Sequence, residues 1–90
     1  MITDRILYDP DFIKQLKKLD LELQRRVVKT EQLFRQNILH PSLRLHRLRG
    51  KLIGYWSLTV TMDIRLIFKQ NESGAIVFVS VGKHDIYKSL

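Results

Sequence analysis

The chain has no cysteine, which removes disulfides, thiolate metal sites and a cysteine nucleophile together. No apolar run approaches the ~18 residues of a membrane span. Met1-Ile2-Thr3-Asp4-Arg5 lacks the basic-then-apolar order of a signal peptide. A cytoplasmic protein with no membrane partner is expected. Walker loops, dinucleotide glycine fingerprints and His-Glu-x-x-His pairs are also missing. Three histidines and nine acids at their spacings make no convincing metal site, so no metal or other cofactor is expected.

Acid is scarce too, and unevenly so. Sixteen Lys and Arg against nine Asp and Glu leave +7 and a pI near 10.1. Residues 1–40 hold eight basic and six acidic side chains; residues 41–90 hold eight and three. Between Glu31 and Asp63 no acid occurs, while Arg35, Arg44, Arg47, Arg49 and Lys51 fall in that window with His40 and His46. Such asymmetry fits a polyanionic partner, either nucleic acid or an acidic protein segment.

What is present suffices for one small domain over residues 1–90. A hydrophobic fraction of 44% excludes a disordered chain and supports a thin core. Ile2–Tyr8 is a strand candidate ending at Asp9-Pro10, an N-cap followed by a proline suited to the first helical position. Phe12, Ile13, Leu16 and Leu19 mark one helical face. A second helix is expected over Leu21–Gln36, capped by Asp20 and burying Leu23, Val27, Phe34 and either Ile38 or Leu33. The two form an antiparallel hairpin, and Pro41 ends the helical region.

Beyond Pro41 the pattern turns to period two. Trp56, Leu58 and Val60 alternate with Tyr55, Ser57 and Thr59. Pairing Val60 with Ile64, Leu58 with Leu66 and Trp56 with Phe68 makes one continuous apolar face around an odd-numbered turn centred on Met62. That register sets Thr59 opposite Arg65. After a turn at residues 70–74, Ala75–Val81 reads as a central strand. The expected α+β fold is β-α-α-β-β-β, with the hairpin on one face of a largely antiparallel four-stranded sheet. The other face is expected to be open, polar and marked by Arg65.

The chemistry available is acid–base work on a polyanion. His46 sits among Arg44, Arg47 and Arg49; His84 follows Gly82-Lys83; Asp63 and Arg65 point to one face. Phosphodiester transesterification needs a base for the attacking 2′-OH, a proton donor for the leaving 5′ oxygen, and cations for the phosphorane charge. All these residue types are here. His84 fits a strand-end surface histidine equally well, and tyrosines such as Tyr87 more often pack than protonate.

Four segments in order, His46-Arg47-Leu48-Arg49-Gly50, Gly54-Tyr55-Trp56-Ser57-Leu58, Asp63-Ile64-Arg65-Leu66-Ile67-Phe68 and Val81-Gly82-Lys83-His84-Asp85-Ile86-Tyr87, resemble the RelE/ParE superfamily of bacterial toxins, above all its YafQ-like branch. The resemblance covers nearly the whole chain. It implies a toxin of a type II toxin–antitoxin system, a metal-independent endoribonuclease cutting mRNA in the ribosomal A site. It also implies an acidic antitoxin encoded beside it, which joins it in a hetero-oligomer. By position His46, Asp63 and His84 match the YafQ-like catalytic set. Arg65 matches the phosphate-stabilising arginine of RelE-type toxins, and Tyr87 lies near the C-terminal aromatic that orients or stacks substrate. Arg44, Arg47, Arg49, Lys51 and Lys83 are expected on mRNA or rRNA phosphates. Two departures stand out: Ser57 and Thr59 replace the second-strand lysines of RelE-type toxins, and Thr59 replaces the YafQ-like histidine. The general base is therefore open between His46 and Asp63. The alternatives are a ParE-like toxin acting on DNA gyrase without a ribonuclease site, and a degenerate member kept as an antitoxin-binding module.

Overall fold

The computed structural model describes residues 5–90, apart from the side chain of Ser89. Strand β1 covers Ile6–Tyr8; residues 2–4 of the expected Ile2–Tyr8 strand lie outside the described residues. Helix α1 spans Pro10–Lys18, and the Asp9 carboxylate accepts the Asp11 N–H at its start. Helix α2 spans Leu21–Gln36, with Asp20 accepting the Leu23 N–H at 2.8 Å. Only Leu19 and Asp20 separate them, so the hairpin closes tightly. Leu19 leaves α1 to become its C-cap yet still packs on the core. Val27, Thr30 and Phe34 are the buried positions of α2, with Leu23, Leu33 and Ile38 partly buried against them. No helix among the described residues is long and apolar enough to cross a membrane.

The sheet has five strands rather than the expected four, in the order β1-β5-β4-β3-β2. The additional strand, β2, is His46–Arg47; β3 is Tyr55–Thr59, β4 Arg65–Gln70 and β5 Ile76–Gly82. Two residues carry no periodicity, and β2 exists only because the free edge of β3 pairs with it. β1 runs parallel to β5, and the other pairs are antiparallel. The β3–β4 register follows apolar matching: Trp56 faces Phe68, Leu58 faces Leu66 and Thr59 faces Arg65. Val60 donates to the Ile64 carbonyl at 2.9 Å, closing the three-residue turn about Met62. Gly54, at φ +96°, turns the chain into β3 in a conformation that disfavours any side chain.

Both helices cover one sheet face. Phe34 lies 5.0 Å from Phe68 and 5.9 Å from Phe78 between ring centroids, and Phe12 lies 5.5 Å from Phe78. All four are essentially inaccessible, so truncating any of them would cost several kcal/mol, about 3–5 for a buried phenylalanine. Tyr8 closes the β1 side by donating to Glu31 at 2.6 Å, and Glu31 also pairs with Arg35. Burial first, then the Glu31 hydrogen bond, raises the Tyr8 phenol above its ordinary value. This neutral-form stabilisation is complete below pH ~10 and fades as pH climbs through the raised value.

A bulge interrupts the β4–β5 ladder between Ile67 and Phe68. There the Gln15 side-chain oxygen accepts from the Val81 N–H and from the Ser80 hydroxyl, both at 2.9 Å. A helix side chain thus satisfies polar groups that the irregular ladder leaves over. Ser80 is buried, so Gln15→Ala should lower unfolding free energy by about 1–3 kcal/mol, the cost of orphaned buried donors. Urea denaturation measures it; an unchanged midpoint would mean that water replaces Gln15.

Candidate active site

The sheet face away from the helices carries the candidate residues. Alternation puts Ser57 and Thr59 of β3, and Arg65 and Ile67 of β4, on that side, because their neighbours Trp56, Leu58, Leu66 and Phe68 pack in the core. His46 pairs with Ser57 across β2–β3 and so shares the face. The face is not open as expected. A 3₁₀ turn at His84–Ser89 folds back over it, bringing the Tyr87 hydroxyl to 3.2 Å from the Ser57 hydroxyl. Ser57 and Ile67, register partners, are both fully buried as a result. Periodicity gave no sign of this turn, since its only apolar residues are Ile86 and Tyr87 before the terminal Leu90.

His46 is exposed, and its Nδ1 lies 3.2 Å from the Arg44 carbonyl. A carbonyl only accepts, so Nδ1 carries the proton and the neutral ring offers its lone pair at Nε2. Arg44 is the one non-glycine among the described residues with a positive φ, at 48°. That left-handed backbone costs on the order of 1 kcal/mol, and it stands directly beside the candidate base. A groove of about 810 Å³ opens at His46, lined also by Arg47, Leu48, Arg49, Gly50 and Ile53.

His84 lies in a second groove with Met62, Asp63 and Lys83. Asp63 belongs to the β3–β4 turn, its N–H donating to the Thr61 hydroxyl at 3.2 Å. His84 and Tyr87 meet edge to face, with centroids 5.0 Å apart and planes at 88°. The structure thus gathers Asp63, Lys83 and His84 at one end of the face and sets His46 on the far strand, with Tyr87 reaching between them to β3.

Arg65 differs from expectation. Its backbone position is on the face, but its Nη1 donates to the carbonyls of Thr61 and Met62 at 2.7 and 2.8 Å. The guanidinium therefore straps the β3–β4 turn, the turn's carbonyls being acceptors within reach of a long cationic side chain. Arg47 lines the groove at His46 but belongs to the other sheet face: it pairs with Trp56 and lies 5.3 Å from the centroid of that ring, a cation–π contact on the helix side. Arg44, Arg49, Lys51 and Lys83 are exposed. Among the described residues no three His, Asp or Glu side chains gather where they could hold a metal ion.

Residues 5–88 match the model of a family described as the bacterial toxin of type II toxin–antitoxin systems, YafQ. Curated proteins give no sequence match. Among solved structures the fold is similar to a YoeB/ParE toxin from Agrobacterium tumefaciens, with TM-score 0.73 and 14% identity over 89% of this chain and 98% of that one. YafQ from E. coli gives 0.69 and 22%, over 91% and 94%. The toxin–antitoxin complex RelBE2 from Mycobacterium tuberculosis gives 0.71 and 19%, over 89% and 96%.

Proposed function

Since this chain belongs to the YafQ family of bacterial type II toxins, we propose that it is an endoribonuclease that cuts mRNA on the ribosome by metal-independent transesterification. The observation that carries this reading is the shared sheet face, on which His46 presents Nε2 while His84, Lys83 and Asp63 gather at its end. His46 Nε2 takes the proton of the 2′-OH, whose oxygen forms a bond to the adjacent phosphorus. The bond from phosphorus to the 5′ oxygen breaks, and His84 gives that oxygen its proton. A 2′,3′-cyclic phosphate and a free 5′-OH result. Asp63 offers the His84 imidazolium a counter-charge; Lys83 and the unused guanidinium nitrogens of Arg65 neutralise the phosphorane. The Arg44 carbonyl supports His46 as base over Asp63, because it leaves the lone pair on the outward nitrogen.

Expressing the chain alone tests this directly. Translated mRNA should be cut to 5′-OH ends, and the upstream fragments should carry the 2′,3′-cyclic phosphates that transesterification leaves. DNA breaks with intact mRNA would replace this reading with a gyrase-directed one, and harmless expression would leave an antitoxin-binding module. An acidic antitoxin fits the +7 charge, and the similar RelBE2 structure is a toxin–antitoxin complex.

Phosphate binding falls to the exposed cations. Replacing Arg49 and Lys51 together by Ala should weaken ribosome binding and reduce the slope of log affinity against log salt by roughly 0.7–0.9 for each phosphate no longer neutralised. Filter binding over a salt series measures this, and an unchanged slope would mark both as solvated surface.

A further inference from the structure

We infer that Ser57 is a positioning residue whose hydroxyl holds Tyr87, and through the Tyr87 ring the His84 imidazole, in the geometry that proton transfer needs. The inference rests on the proposed role of His84 as proton donor. Ser57 is wholly buried in the middle of β3, where a hydroxyl is costly unless it is paired. Its partner is the Tyr87 hydroxyl at 3.2 Å, thirty residues away and on the segment that covers the face.

The turn itself has a second anchor. A side-chain carbon at Gly82 would come within 2.6 Å of Ile86 Cγ2, so Ile86 seats directly against the bare backbone at the end of β5. The Ile86 N–H donates to the Lys83 carbonyl at 3.0 Å, closing the turn. Gly82 therefore acts as the hinge end and Ser57 as the far pin. Between the two lies His84, in edge contact with the Tyr87 ring. The Tyr87 ring meets His84 edge to face, and its hydroxyl, held by Ser57, fixes the ring.

A two-residue cycle reads this. Ser57→Ala and Tyr87→Phe each remove one side of the hydrogen bond, the second without touching the sheet. Single-turnover cleavage on programmed ribosomes should fall about tenfold in each, at unchanged affinity, as expected for a displaced reacting group. The double variant should be no slower than either single one, because both substitutions break the same link. In the free protein, both variants should shift the NMR signals of the His84 ring. Wild-type rates in Ser57→Ala, decreases that multiply to about a hundredfold in the double, or unmoved His84 signals would each overturn the inference. If His84 signals move while the wild-type chain cuts no RNA, the positioning link stands and the ribonuclease reading falls.

Discussion

His84→Ala is expected to slow mRNA cleavage by roughly 10²–10⁴-fold while ribosome binding stays near that of the wild-type chain. That span is what removal of a proton-transfer group costs. His84 is exposed at the start of the C-terminal turn and shares its groove with Asp63 and Lys83. It lies outside the hydrophobic core, so the effect should fall on the chemical step rather than on folding. Growth arrest by the expressed variant, compared with the wild-type chain, gives the first reading; single-turnover cleavage gives the magnitude. Undiminished toxicity in His84→Ala would remove this residue from the mechanism.

Arg65→Ala is expected to lower cleavage by roughly 10²–10³-fold, the usual cost of losing one donor that stabilises charge in the transition state. The structure adds a second consequence. Arg65 binds the Thr61 and Met62 carbonyls, so the same substitution should loosen the β3–β4 turn and destabilise the fold by about 1 kcal/mol, a charge-assisted bond discounted for partial exposure. Arg65→Lys separates the two. An ammonium can hold one turn carbonyl and recover most of the stability, but it cannot hold the turn and present a planar fork to phosphate together. Near-normal thermal stability with cleavage still reduced at least tenfold is the expected pattern. Full recovery of cleavage in Arg65→Lys would confine Arg65 to a structural role.

The helical hairpin and the β3–β4 register were legible because both are written in local patterns. Asp9 and Asp20 are caps whose side chains bond their own helix N-termini, and Val27, Thr30 and Phe34 of the second helix recur at helical spacing. The apolar alternation from Trp56 to Phe68 admits one register that keeps every large side chain on the core. Strand β2, the bulge at Ile67/Phe68 and the turn at His84–Ser89 were not legible, since each depends on a partner distant in sequence. β2 needs the edge of β3, the bulge needs Gln15 of α1, and the turn needs Ser57 and the missing side chain of Gly82.

The candidate residues divide along the same line. Sequence alone determined which side chains were available, and placed Arg65 opposite Thr59 on the face away from the helices, because side-chain direction in a strand follows from counting by two. It also determined the basic excess after Glu31, which is composition and needs no fold. Only the tertiary structure decided that His46 joins this face through a two-residue strand, that Arg47 leaves it for Trp56, and that Tyr87 closes over Ser57. Those outcomes rest on pairings between segments roughly ten to thirty residues apart, beyond the reach of local patterning. No local propensity encodes them, because a long side chain or a terminal turn settles only where the assembled sheet offers it an acceptor or a ring.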